Sequence, residues 1–173
     1  MFSDDFSDSN LDEYQVVVND TRATPNWRVE NGKLVQDAGN DHNFLLVKDK
    51  QLVTQVIEND LIMLSPNGYG GVVVWYHDMN NWVSVFMYPL LQNIGVYSNV
   101  NGLKTVTYYS ANSSYDTLYR FKVAADSNTG TITVFVDDSQ KVTHTASSIY
   151  RTGLTGVSSG NSGASFDNLL ITP

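Results

Sequence analysis

Apolar and polar positions alternate along this chain in short runs, each closed by Gly, Asn, Asp or Ser, and that period of two predicts strands from end to end. Val29–Gln36 turns back on itself across Asn31-Gly32, a residue pair suited to a two-residue hairpin loop. Phe44–Val47 and Leu52–Glu58 read as strands on either side of a charged turn at Lys48–Lys50, and Leu61–Leu64 runs into a turn at Ser65–Gly68. Gly71–His77 and Trp82–Tyr88 form a hairpin over Asp78–Asn81, and Ile94–Val100 meets Leu103–Tyr109 through Asn101-Gly102. Tyr119–Ala124 and Thr131–Val136 flank Asp126–Gly130, while Gly153–Val157 and Ser165–Ile171 close the chain. No stretch keeps helical spacing over several turns. The pattern predicts an all-β, two-sheet antiparallel sandwich. With 173 residues and neither a linker nor an internal repeat, it predicts a single domain over 1–173.

The same alternation sorts side chains by face. On the hairpin Gly71–Tyr88, Val72, Val74 and Tyr76 fall on one face, and Val73, Trp75 and His77 on the other. On the return strand Val83, Val85 and Met87 alternate with Trp82, Ser84, Phe86 and Tyr88. Taking the Val/Met set as core leaves Trp75, His77, Trp82, Phe86 and Tyr88 facing outward, with Tyr97 and Tyr109 joining from the next strands. An outward run of aromatic side chains on adjacent strands is an apolar patch that a monomer rarely keeps without use. Asp78, Asn80, Asn81 and Asn99 are the polar candidates beside it, and Tyr115 on the loop Ser110–Asp116 is a further contact.

Composition narrows the partners. Ten Lys and Arg against eighteen Asp and Glu give a net charge of −8, and the basic residues are scattered singly, which argues against nucleic acid. Only 16% of residues are charged, so Asn, Ser, Thr, Gly and Tyr dominate the polar surface. The absence of cysteine excludes a disulfide scaffold and thiolate metal sites. His42, His77 and His144 lack paired spacing for zinc or copper. No apolar run approaches the ~20 residues of a membrane span, and the acidic segment that follows Met1 is not the pattern of a secretion signal. Asn19–Thr21 and Asn112–Ser114 match the glycosylation triplet, a weak signal in so Asn- and Ser-rich a chain.

Short motifs in a fixed order carry a family resemblance. They are Asp4-Asp5-Phe6; Trp27-Arg-Val-Glu-Asn-Gly-Lys-Leu34; Gly71-Val-Val-Val-Trp-Tyr-His-Asp78; Tyr119-Arg-Phe-Lys-Val123 with Thr131-Ile-Thr-Val-Phe-Val-Asp137; and Gly163-Ala-Ser-Phe-Asp-Asn168. Together they resemble the concanavalin A-like (laminin G-like) jelly rolls, and among these the carbohydrate-binding modules of phage tail (distal tail and baseplate) proteins and bacterial glycosidases. Trp75, where the family often has Arg, and Ser139, where it usually has Gly, depart from the pattern.

The resemblance implies a concave sheet on which outward rings stack against pyranose faces while Asn, Asp and Tyr bond sugar hydroxyls. It also implies a structural calcium ion, held by Asp5 and Asp167 with Asp4 as a third ligand and the loop between Val35 and His42 completing the oxygen shell. Catalytic relatives carry E-x-D-x-x-E on one strand. Here Glu13, Glu30 and Glu58 stand alone, so no enzyme is expected. The expected function is non-catalytic recognition of a cell-surface or cell-wall polysaccharide. The setting would be phage adhesion to a Gram-positive host, on a virion tail or outside the cell, as part of a larger multimeric protein. The alternatives are a structural or protein-interaction domain and an accessory module of a secreted glycosidase.

Overall fold

The computed structural model describes residues 1–19, 24–39, 41–147 and 150–173, so the Asn19–Thr21 triplet lies partly outside the described residues. The strands are β1 (Phe2–Asp4), β2 (Tyr14–Val18), β3 (Arg28–Glu30), β4 (Lys33–Gln36), β5 (Asn43–Leu52), β6 (Gln55–Met63), β7 (Tyr69–Asp78) and β8 (Asn81–Tyr88). A 3₁₀ turn at Pro89–Leu91 precedes β9 (Asn93–Val100) and β10 (Leu103–Ser110). Then come β11 (Tyr119–Asp126), β12 (Thr131–Val136), β13 (Ser139–Thr145), β14 (Gly153–Gly160) and β15 (Ala164–Thr172). They pack as two antiparallel sheets. One has the order β13-β12-β11-β6-β15-β4-β3, with β1 also on β15, and the other β10-β9-β8-β7-β14-β5-β2.

The two chain ends pair, with Phe2 opposite Ile171 and Asp4 opposite Leu169. Between the sheets lies one continuous core. The first sheet supplies Ile57, Leu61, Phe121, Val123 and Phe166, and the second supplies Val72, Val83, Val85, Met87 and Val96. Strict alternation on β6, where every second residue from Gln55 to Met63 is buried, is what a sheet with one face on the core and one toward water requires.

Two turn readings fail. Lys48–Lys50 does not end a strand: β5 runs through it, Asp49 takes φ 56°, and the pairing with β14 slips from Leu46↔Gly156 to Gln51↔Leu154. The charges mark a bulge that keeps the ladder alive on both sides. Leu52–Glu58 and Leu61–Leu64 are likewise not separate strands, because the chain turns at Val53-Thr54 and then runs unbroken as β6. Alternation alone cannot tell a bulge from a turn when the intervening residues are polar.

Candidate functional site

The outer face of the seven-stranded sheet is built by register. Trp82 lies opposite Asn99 and Tyr76, Ser84 opposite Tyr97 and Val73, and Phe86 opposite Gly95 and Gly71. Val106 lies opposite Tyr97, and Tyr108 opposite Gly95. Directly opposed residues share a face, so the aromatic residues converge across four neighbouring strands. Gly95 makes room for one of them: a Cβ there would fall 2.4 Å from Phe86 Cζ, so the ring lies flat over β9.

Trp75 is not part of that face. The β7–β8 register slips between Val73 and Trp75, leaving Val74 as an extra residue. Past the bulge the parity is reversed, and Trp75 points inward with Val72 and Val74 in the main core, fully buried, its indole N–H donating to the Val53 carbonyl at 3.1 Å. Tyr76 takes the outward place instead. A second slip follows between Tyr76 and Asp78, and exposed His77 stacks on Tyr150 with ring centres 4.5 Å apart, at the opposite end of β7 from Tyr69.

Trp82 does face outward but is fully covered. With Phe44, Leu46 and Val73 it forms a second, smaller core on that face, flanked by Val17, Tyr76, Tyr97 and Leu154. Its ring meets Phe44 and Tyr97 edge-on at 5.1 and 5.2 Å, and its N–H donates to the Met79 carbonyl. Tyr109 faces inward opposite Ile94, its hydroxyl 2.7 Å from His144 Nδ1, a bond that ties β10 to β13 across the sandwich. Asn81 is buried in the turn, donating to both Asp78 oxygens and accepting the Asn101 N–H. Asn80 donates its N–H to Asp78, and Asn99 gives its side-chain N–H to Met79. These polar groups hold two hairpin ends together. Tyr115 is half exposed on its loop, outside this face.

Phe86, Tyr88 and Tyr97 do meet. They line a cleft of about 200 Å³ together with Asp41, His42, Tyr69, Val106, Tyr108 and Asn161. The His42 ring meets Tyr97 edge-on at 4.3 Å, and Tyr69 packs on Phe86 at 4.9 Å. The Tyr69 hydroxyl donates to Asp41 Oδ1 and accepts the His42 backbone N–H at 2.7 Å. Burial, reinforced by the Asp41 carboxylate, pushes the Tyr69 and Tyr97 hydroxyls above their ordinary pKa, so both stay protonated, the Tyr69 proton held by Asp41. The cleft therefore offers ring faces, phenolic hydroxyls and one carboxylate in a partly dry setting.

Tyr108 was legible in the sequence. A two-residue Asn101-Gly102 loop pairs Val100 with Leu103, and counting back from that pair sets Val106 and Tyr108, not Tyr109, on the face of Tyr97. Asp41 and His42 carry no local signal, because they reach the cleft through the fold from the loop ahead of β5.

The acidic residues at the chain ends are already engaged. Asp4 accepts the Phe6 N–H on Oδ1 and the Tyr14 hydroxyl on Oδ2, both at 2.7 Å. Asp5 is fully exposed, held below the usual carboxylate range by hydrogen bonds from Ser7. Asp167 lies opposite Asp60 on β6 and accepts the Asn168 N–H, while Asn168 donates its side-chain N–H to Asp60. On the loop proposed to complete the shell, Asp37 binds the Arg28 guanidinium at 3.0 and 3.1 Å, and residue 40 lies outside the described residues. Among the described residues no three acidic or histidine side chains gather as a metal would require. Asp4, Asp5 and Asp167 are engaged in separate hydrogen bonds and do not form such a group.

No family model and no curated protein matches the sequence. Solved structures do match. The chain superposes on the carbohydrate binding module CBM66 from Bacillus subtilis with a TM-score of 0.79 at 15% identity, covering 93% of this chain and 96% of that one. A sialidase gives 0.75 at 12% identity over 99% of this chain, which spans only 18% of the sialidase's length. The β-glucanase of Bacillus licheniformis gives 0.70 at 12% identity, covering 99% and 97%. The fold is a concanavalin A-like jelly roll. At these identities the likeness extends to the fold alone, shared here by proteins named as a binding module and as an enzyme.

Proposed function

We propose that this chain is a non-catalytic carbohydrate-binding module, and that the saccharide occupies the Tyr69–Phe86–Tyr97–Tyr108 cleft. The observation that carries the reading is the combination found there, of aromatic walls for the C–H faces of a sugar ring and the protonated Tyr97 hydroxyl and Asp41 carboxylate for its hydroxyls. Hydrolysis would need a second carboxylate about 5 Å or more across the scissile bond. Asp41 is the one carboxylate among the described residues that line the cleft. The setting we propose is attachment of a larger, multi-copy assembly, a phage tail or a secreted glycosidase, to bacterial cell-wall polysaccharide. It is consistent with a fold that makes up only 18% of the sialidase.

The reading is tested by isothermal titration and pull-down of the domain against soluble glycans and purified cell walls, with albumin as control. Saturable binding competed by free sugar is expected, without release of reducing ends on long incubation. A blank across the panel would remove the saccharide, and sugar release would remove the non-catalytic assignment. We also expect the ends to be held by β1–β15 pairing without calcium, so that a chelator leaves the melting temperature unchanged. A fall of several degrees, reversed by calcium, would restore the ion.

A further inference from the structure

We propose that β10 is a pairing edge, through which two copies of the chain join their seven-stranded sheets into one continuous sheet about a twofold axis. A strand at a sheet edge shows an unpaired row of backbone donors and acceptors, and proteins normally guard it with brevity, bulges, proline or charge. The other edges here are guarded: β1 and β3 have three residues each, β2 has five, and β13 meets β12 through a register slip and carries Lys141. β10 has none of the structural guards. It runs eight residues with no proline, pairs with β9 in unbroken register, and carries a single charge, Lys104. Thr105–Tyr109 is an uninterrupted run of β-branched and aromatic residues, the types that favour strand pairing. Every residue of β10 but Tyr109 is exposed, including Leu103, Val106 and Tyr108, so among the described residues neither the facing sheet nor a loop covers the edge.

The occupant follows from charge and symmetry. Two copies carry a net charge of −8 each, but β10 has no acidic residue, so they meet there without opposed carboxylates. Across a twofold axis normal to the sheet, directly opposed residues must come from the same face, and the axis therefore passes through a residue rather than between two. With Thr107 on the axis, Val106 of each copy faces Tyr108 of the other on the outer side, and Thr105 faces Tyr109 on the inner side. These are the aromatic–β-branched cross-strand pairs that stabilise antiparallel sheets. Val106 and Tyr108 also line the cleft, so pairing sets two clefts beside the axis on one surface, an arrangement suited to a repeating polymer.

Light scattering across a concentration series is expected to show a dimer. Thr107→Lys places two ammonium groups opposite each other at an exposed position, and should raise the dimer dissociation constant by at least about tenfold with an unchanged melt. The chain has no cysteine, so Thr107→Cys supplies a unique thiol that should oxidise to a disulfide-linked dimer with the unmodified protein's melt. A chain that stays monomeric at every concentration overturns the proposal. So does a dimer indifferent to Thr107→Lys, or one in which Thr107→Cys fails to cross-link.

Discussion

Trp75→Ala is expected to cost about 3–5 kcal/mol of stability, the range for emptying a buried large aromatic site. Domains of this size hold only about 5–15 kcal/mol in total, so the variant should be partly unfolded at ambient temperature or melt far below the parent. The indole is fully buried among Val72, Val74 and the facing sheet, and truncation also leaves the Val53 carbonyl without its donor. A ring on the outer face, as strict alternation along β7 predicts, would give the reverse: lost ligand binding with a nearly intact melt. Urea unfolding of parent and variant decides between them, and a loss under about 1 kcal/mol, the scale of a surface change, would mean that Trp75 does not sit in the core.

The error at Trp75 shows what alternation can and cannot deliver. It located β7 to β10 and the Asn31-Gly32 and Asn101-Gly102 hairpins, because each depends on neighbours in sequence. Val83, Val85 and Met87 were placed correctly in the core for the same reason. One inserted residue at Val74 exchanges the faces of everything after it, and a run of three valines gives no sign of where the insertion falls. Face and exposure also proved separate questions. Trp82 points outward yet is fully covered, because Phe44 and Leu46 arrive from β5 to build a second core over it. Of the residues selected for ligand binding, Phe86, Tyr88 and Tyr97 reach the cleft, while Asp41 and His42 were invisible to any local pattern. The acidic termini are a separate case. Pairing brought them to adjoining strands, but Tyr14, Phe6 and Asn168 supply the hydrogen bonds their carboxylates accept.

Saccharide binding should be lost at the cleft and nowhere else on the aromatic surface. Tyr108 is half exposed on β10 and Tyr97 half buried against His42. Replacing either by alanine removes one wall of the cleft, and is expected to weaken affinity at least about tenfold, or ~1.4 kcal/mol. The melt should separate the two: Tyr108→Ala leaves it nearly unchanged, while Tyr97→Ala lowers it, since that ring also packs on Trp82. Phenylalanine at each position tests the chemistry, because it keeps the wall and deletes the hydroxyl. Retained affinity in Tyr108→Phe with a loss in Tyr97→Phe would assign stacking to the first and hydrogen bonding to the second, as the Asp41 side of the cleft requires. Tyr115→Ala, at an equally exposed tyrosine outside the cleft, should bind like the parent. Titration calorimetry on the five variants reads the affinities, and thermal melts read the stabilities. Parent-like affinity in both Tyr97→Ala and Tyr108→Ala would move the ligand off this face altogether.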